Sequence, residues 1–119
     1  MEAVYMSLIE NLLERRQKVL NQIGDIQYMQ RGTINEQYLK VPQKGAVPAI
    51  RGPYYVLSWN DDGKTRSERI KSGELEQIRQ DIKNYKYFQT LTKEFIEITE
   101  TITKEIRAEQ IDLKKTNLQ

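Results

Sequence analysis

The chain has 119 residues, the length of one domain, but its hydrophobic fraction of 38% is low for a compact globule, so an elongated shape with a thin core is expected. Cysteine and histidine are both absent, which removes disulfides, thiolate and imidazole metal sites and the usual general base; no catalytic set, metal or cofactor is expected. The net charge is only +2, yet residues 31–71 hold eight cations against four carboxylates and the remainder eleven against thirteen, a local +4 beside −2. That bias favours an anionic partner for the centre of the chain, although an ordinary solvated surface can show it too.

No stretch approaches the ~20 apolar residues that cross a bilayer, and the N-terminus MEAVYMSLIENLLERR is acidic where a secretory signal is basic. A cytoplasmic protein with no membrane partner is expected. Over residues 1–30, Tyr5, Ile9, Leu12, Val19, Ile23 and Ile26 recur at helical steps, with Leu8, Leu13 and Leu20 widening the stripe. Arg16 falls inside it, so its stem should lie along the seam with its head in water. Gly24 weakens the helix without ending it, and Arg31-Gly32 is the expected stop.

Arg31 to Val41 reads as a strand, and Pro42 to Arg51 as a loop marked by Pro42, Gly45 and Pro48. Tyr54, Tyr55, Val56, Leu57 and Trp59 then alternate as a strand that meets Asn60-Asp61-Asp62-Gly63, a turn with Gly at its left-handed residue, and Lys64 to Ile70 returns. Residues 31–71 are therefore expected to be a three-stranded antiparallel sheet with a basic hairpin.

Residues 72–119 predict a second helix, starting at the Ser72 cap. Leu75, Ile78, Ile82, Tyr85, Phe88, Leu91, Phe95, Ile98, Ile102 and Ile106 alternate steps of three and four, as a coiled-coil seam does. At ~1.5 Å per residue it outreaches the first helix, leaving Phe88, Leu91, Phe95, Ile98, Ile102 and Ile106 as an expected oligomer interface and the protein as a homo-oligomer. Ile111, Leu113 and Leu118 form no clear stripe, so fraying is expected beyond about residue 112. The fold expected is α+β, a long antiparallel helical hairpin capped by the small sheet.

Gly32, Gly52-Pro53-Tyr54-Tyr55, Gly63-Lys64-Thr65, Asn84, Tyr85 and Phe88 give residues 31–92 a pattern that resembles a family of small uncharacterised prokaryotic proteins often found beside transposases. The resemblance implies a mobile-element or phage setting but no chemistry. Many such proteins carry cysteines between the first two strands; PQKGAVPAIR has none, so a metal-clamped form is excluded. A looser likeness is to the three-stranded sheet plus helix of tyrosine-recombinase N-terminal domains and of certain plant DNA-binding domains, which enter the major groove with the sheet.

With a bulge at Gly63, Tyr55, Leu57 and Trp59 share a face with Thr65, Ser67 and Arg69, and the expectation is that Tyr54, Val56 and Ile70 cover the helix while Tyr55, Trp59, Thr65 and Arg69 face outward. Lys64, Arg66 and Arg69, with Lys44 and Arg51 on the loop, could then neutralise phosphates. The alternatives are aromatic core packing and cations that deter edge-to-edge pairing. Asp81, Glu94, Glu97, Glu100 and Glu105 interleave with lysines at helical spacing and read as a solvated face. The expected function is a non-enzymatic accessory that binds nucleic acid, duplex DNA above all, and takes no small-molecule substrate; the competing reading is a protein-interaction module that uses the sheet or the long helix.

Overall fold

A computed structural model describes residues 2–117, with side chains described for residues 7–110. The element order is α1 (Glu2–Asp25), β1 (Thr33–Gln43), β2 (Ala46–Asp61), β3 (Lys64–Arg69) and α2 (Leu75–Asn117), the expected α+β class with a long C-terminal helix. The chain clusters into two compact units. One holds α1 and the part of α2 from Tyr87 onward, the other residues 28–86.

In the helical unit the apolar stripes meet as they were spaced to do. Leu12, Val19, Leu91, Ile98 and Ile102 are each no more than 6% exposed and form the core, with Ile23, Ile26 and Phe95 packed against it. Burial of such a side chain stabilises by about 1.5–3 kcal/mol. Leu91, Ile98 and Ile102, expected as a seam to a second copy, are thus buried within the chain. α1 reaches far enough to cover them, so the exposed oligomer candidates shrink mainly to Ile106. Arg16 is partly buried, as a stem laid along the seam requires. Arg15 and Glu94 approach to 4.0 Å, but both are well exposed and the pair adds little.

α1 ends at Asp25 and not at Arg31-Gly32. Gly24 sits in its last turn, where the loss of backbone entropy disfavours continuation, and Ile26 N donates to Ile23 O at 3.1 Å, the tightened bond of a helix end. At the other end α2 starts at Leu75 and not at Ser72, because Gly73 takes a φ of 92° and Glu74 N turns back to Lys71 O at 3.1 Å. Its backbone is helical to Asn117, beyond the expected fraying point. Tyr5, Ile111, Leu113 and Leu118, named in the sequence patterns, have side chains outside the described residues.

The other unit is a sheet of order β1-β2-β3, antiparallel throughout. The stretch expected to be a loop, Pro42 to Arg51, is instead the near half of β2 paired to the end of β1, turning at Lys44-Gly45 with Gly45 at a φ of 72°. The prolines do not forbid this, because Val47-Pro48 oppose Pro42 at a register shift where no ladder bond needs their missing donor. A second shift sets Gly52-Pro53 opposite Tyr38. There Gly52 has a φ of 133°, and a Cβ on it would lie 2.9 Å from Gln37 O, so no other residue suits the position. The Gly-Pro-Tyr-Tyr motif is the bulge that lets β1 pass close to β2.

Candidate nucleic-acid interface

The β2–β3 turn decides which side chains share a face. Asp61 pairs with Lys64, leaving a two-residue turn in which Asp62 and Gly63 have φ of 52° and 83°, both left-handed. That is a type I′ turn without a bulge, braced by Gly63 N donating to Asn60 Oδ1 at 2.9 Å. Removing the expected bulge shifts β3 by one residue and exchanges its faces. Arg66 therefore pairs with Trp59 and Glu68 with Leu57, while Thr65, Ser67 and Arg69 pair with Asn60, Ser58 and Val56.

The face that carries Leu57 is the covered one. Leu57 is 5% exposed, Ile34, Tyr55 and Trp59 are partly buried, and Ile34, Tyr55, Arg79 and Ile82 line one crevice between this face and the first turns of α2. The Arg79 guanidinium lies 5.8 Å from the Tyr55 ring centre. The expected outward set is therefore split: Tyr55 and Trp59 face the helix side with Lys64 and Arg66, and Thr65 and Arg69 lie on the opposite face. Arg66 is paired to Asp61 at 3.4 Å, which weakens its claim as a phosphate contact.

The opposite, outer face has a consistent chemistry. β1 contributes Thr33, Asn35 and Gln37, β2 contributes Arg51, Tyr54, Val56, Ser58 and Asn60, and β3 contributes Thr65, Ser67 and Arg69. Every carboxylate on the strands, Glu36, Asp61 and Glu68, belongs to the covered face by the same registers. Arg69 stacks on Tyr54, 3.8 Å from its ring centre, and Ser58 and Ser67 share a hydroxyl hydrogen bond at 3.1 Å. Hydroxyls, amides and a stacked arginine are the donors and acceptors that read groove edges and phosphates. Asn35, Gln37 and Tyr54 were missed as site residues, and the Asp62-Gly63 pair, a strong I′ signal, could have found them.

Lys44 sits at the β1–β2 turn and Arg51 pairs with Leu39, so neither is in a loop region apart from the sheet. On the covered side of the β1 edge the Tyr38 hydroxyl donates to Glu36 Oε1 at 2.9 Å; that bond first, and the carboxylate charge next, hold the phenol neutral and push its ionisation above the usual 10.0. Among the described residues no cluster of acidic side chains could hold a metal, and no helix is long and apolar enough to cross a membrane.

Residues 9–80 match the family described as a domain of unknown function, DUF6788. The chain belongs to that family. No curated protein and no solved structure matches it. The DUF6788 region contains the whole sheet, so every outer-face residue named above falls inside it, together with α1 from Ile9 and the start of α2 to Gln80. The resemblance read from residues 31–92 to an uncharacterised family is consistent with DUF6788.

Proposed function

We propose that this chain is a non-enzymatic, cytoplasmic nucleic-acid-binding accessory that contacts duplex DNA with the outer face of its sheet. The supporting observation is the sorting of charge across that sheet. The outer face presents Arg51, Arg69 and Tyr54 among hydroxyls and amides with no carboxylate, while Glu36, Asp61 and Glu68 sit on the covered side. A carboxylate beside a phosphate costs affinity, and its exclusion from one face suits a polyanionic partner. The resemblance carried by Gly52 to Tyr55 and Gly63 to Thr65 fits a setting near a mobile element or phage.

A second reading, a protein-interaction module working through the helical unit, is favoured by a separate observation. In the helical unit Leu13, Leu20 and Ile96 remain 41%, 42% and 53% exposed, and such side chains suit a second copy or another protein.

Fluorescence anisotropy of labelled duplex DNA against salt distinguishes the two. Binding should weaken steeply with salt, and an Arg51→Gln, Arg69→Gln double variant should flatten the slope of log K against log salt by about 1.8, near 0.9 for each lost phosphate contact. No binding at about 50 mM salt, where phosphate contacts are strong, leaves the protein-interaction reading ahead.

A further inference from the structure

β3 pairs with β2 only from Val56 to Asp61, so among the described residues the remainder of β2 has β1 as its sole strand partner. Residues 38–51 are thus a two-stranded arm projecting from the three-stranded region. A ribbon of this kind is marginal in water without a covering surface. None is present within its unit: Tyr38, Leu39, Val47 and Ile50 are 58%, 50%, 84% and 68% exposed. The charges of the arm are Lys40, Lys44 and Arg51, and no carboxylate occurs anywhere between Glu36 and Asp61, in a chain that holds 17.

We infer that this arm is a finger for duplex DNA, lying in a groove beyond the base-reading face with Lys40, Lys44 and Arg51 at phosphates and Val47 and Ile50 against the sugar walls. The inference rests on the reading of the outer face as a nucleic-acid surface. Three observations carry it. The first is charge complementarity, since the arm is purely cationic. The second is continuity: Leu39, Val41, Ala49 and Arg51 prolong the face that bears Tyr54 and Val56. The third is chemistry and size. Groove-entering arms elsewhere place apolar side chains against base steps and sugars, and a two-stranded ribbon fits a major groove about 12 Å wide. The ladder from Leu39 to Gln43, at ~3.3 Å per residue, reaches about 17 Å, or some five base pairs at ~3.4 Å each.

The test uses the full chain, DNA duplexes of about 30 base pairs and four variants. A Lys40→Gln, Lys44→Gln double leaves Arg51 of the outer face in place and keeps every backbone pair, and should flatten the salt slope by about 1.8. An arm-shortened variant, with Lys40 to Ile50 replaced by an Asn-Gly turn joining the paired Leu39 and Arg51, should occlude about five fewer base pairs in stoichiometric titration. Arg69→Gln serves as the control on the outer face. If the wild type binds and Arg69→Gln weakens it, but the Lys40, Lys44 double keeps its slope and the shortened arm its site size, the arm inference falls and the outer-face reading stands. If the wild type does not bind at about 50 mM salt, both fall. Self-association lost in Val47→Ser, Ile50→Ser, with site size unchanged, assigns the arm to a second copy and likewise overturns the inference.

Discussion

The guanidinium of Arg69 lies flat enough on Tyr54 to place its carbon 3.8 Å from the ring centre. The two residues are near neighbours across the β2–β3 pair, where Arg69 faces Val56, and the contact exists only because the turn has no bulge. An exposed cation–π pair of this type stabilises by about 0.5–1 kcal/mol. Arg69→Gln and Tyr54→Leu should therefore both lower stability by that amount in urea melts. They should part company in DNA binding: Arg69→Gln flattens the salt slope by about 0.9, whereas Tyr54→Leu leaves the slope unchanged. Equal slopes in the two variants would remove Arg69 from the phosphate contacts.

Two glycines of the β1–β2 ribbon differ in what surrounds them. Gly52 has both a φ of 133° and Gln37 O in the way of a side chain, while Gly45, at a φ of 72°, has open space. Strain at such positions costs on the order of 1–3 kcal/mol. Gly52→Ala should reach or exceed the top of that range and Gly45→Ala stay near its foot, as measured by chemical denaturation. A reversed order would mean that the bulge at Gly52 is easily remodelled.

The helical core offers a similar contrast. Leu91 is 3% exposed and Ile106 is 39% exposed, although both belong to the same seam in the sequence. Leu91→Ala should cost about 2–5 kcal/mol, as buried leucines do, and Ile106→Ala under about 1 kcal/mol. Thermal melts of the two variants would settle which part of α2 is covered within a single chain.

How much of this was legible beforehand follows from where the physics is local. The helical stripes from Leu12 to Val19 and Leu91 to Ile102 are periodic and legible as apolar stripes. Periodicity does not say whether Leu91, Ile98 and Ile102 meet α1 or a second copy; in the fold they pack with Leu12 and Val19. The fate of Arg16 followed directly, because a long aliphatic stem in an apolar stripe has few options. The strand faces were harder. They hang on the turn at Asp62-Gly63, and one residue of slip there moved Arg69 from the face of Tyr55 and Trp59 to the face of Tyr54 and Val56. The loop reading of Pro42 to Arg51 failed because prolines normally end strands, whereas here both stand at a bulge that spares their missing donors. Nothing in the residues alone announces that bulge, since it depends on how β1 and β2 come into register between Val41 and Gln43.

Alkaline titration provides an independent check on the β1 edge. Tyr38 donates to Glu36, and the bond and the negative charge both raise its ionisation above 10.0. A raised folded value means that the contribution to stability is complete below the unfolded value and is lost as pH climbs through the folded one. No effect is expected near neutrality. Ultraviolet titration of the tyrosinates, with Tyr38→Phe subtracted to isolate this residue, should show its midpoint fall toward 10.0 in Glu36→Ala. An unmoved midpoint would show that the hydrogen bond is not populated in solution.

The last expectation concerns assembly. With Leu91, Ile98 and Ile102 buried against α1, the seam first read as an oligomer interface is closed within the chain, and association must use what the helical unit leaves open. Leu13 and Leu20 lie seven residues apart, on one stripe of α1, and remain 41% and 42% exposed; Ile96 on α2 is 53% exposed. Burying the remaining area of a few such side chains yields only a few kcal/mol, and association must also overcome lost translational freedom. A self-association in the micromolar range is therefore the expected strength, visible as a concentration-dependent sedimentation coefficient. Leu13→Ser, Leu20→Ser should abolish it while leaving the melting temperature at low concentration nearly unchanged, because neither residue belongs to the core. A wild type that remains monomeric at about 100 μM, some 5.5 kcal/mol of association free energy by the usual conversion, would exclude this face as a homo-oligomer interface and leave a different protein as its candidate partner.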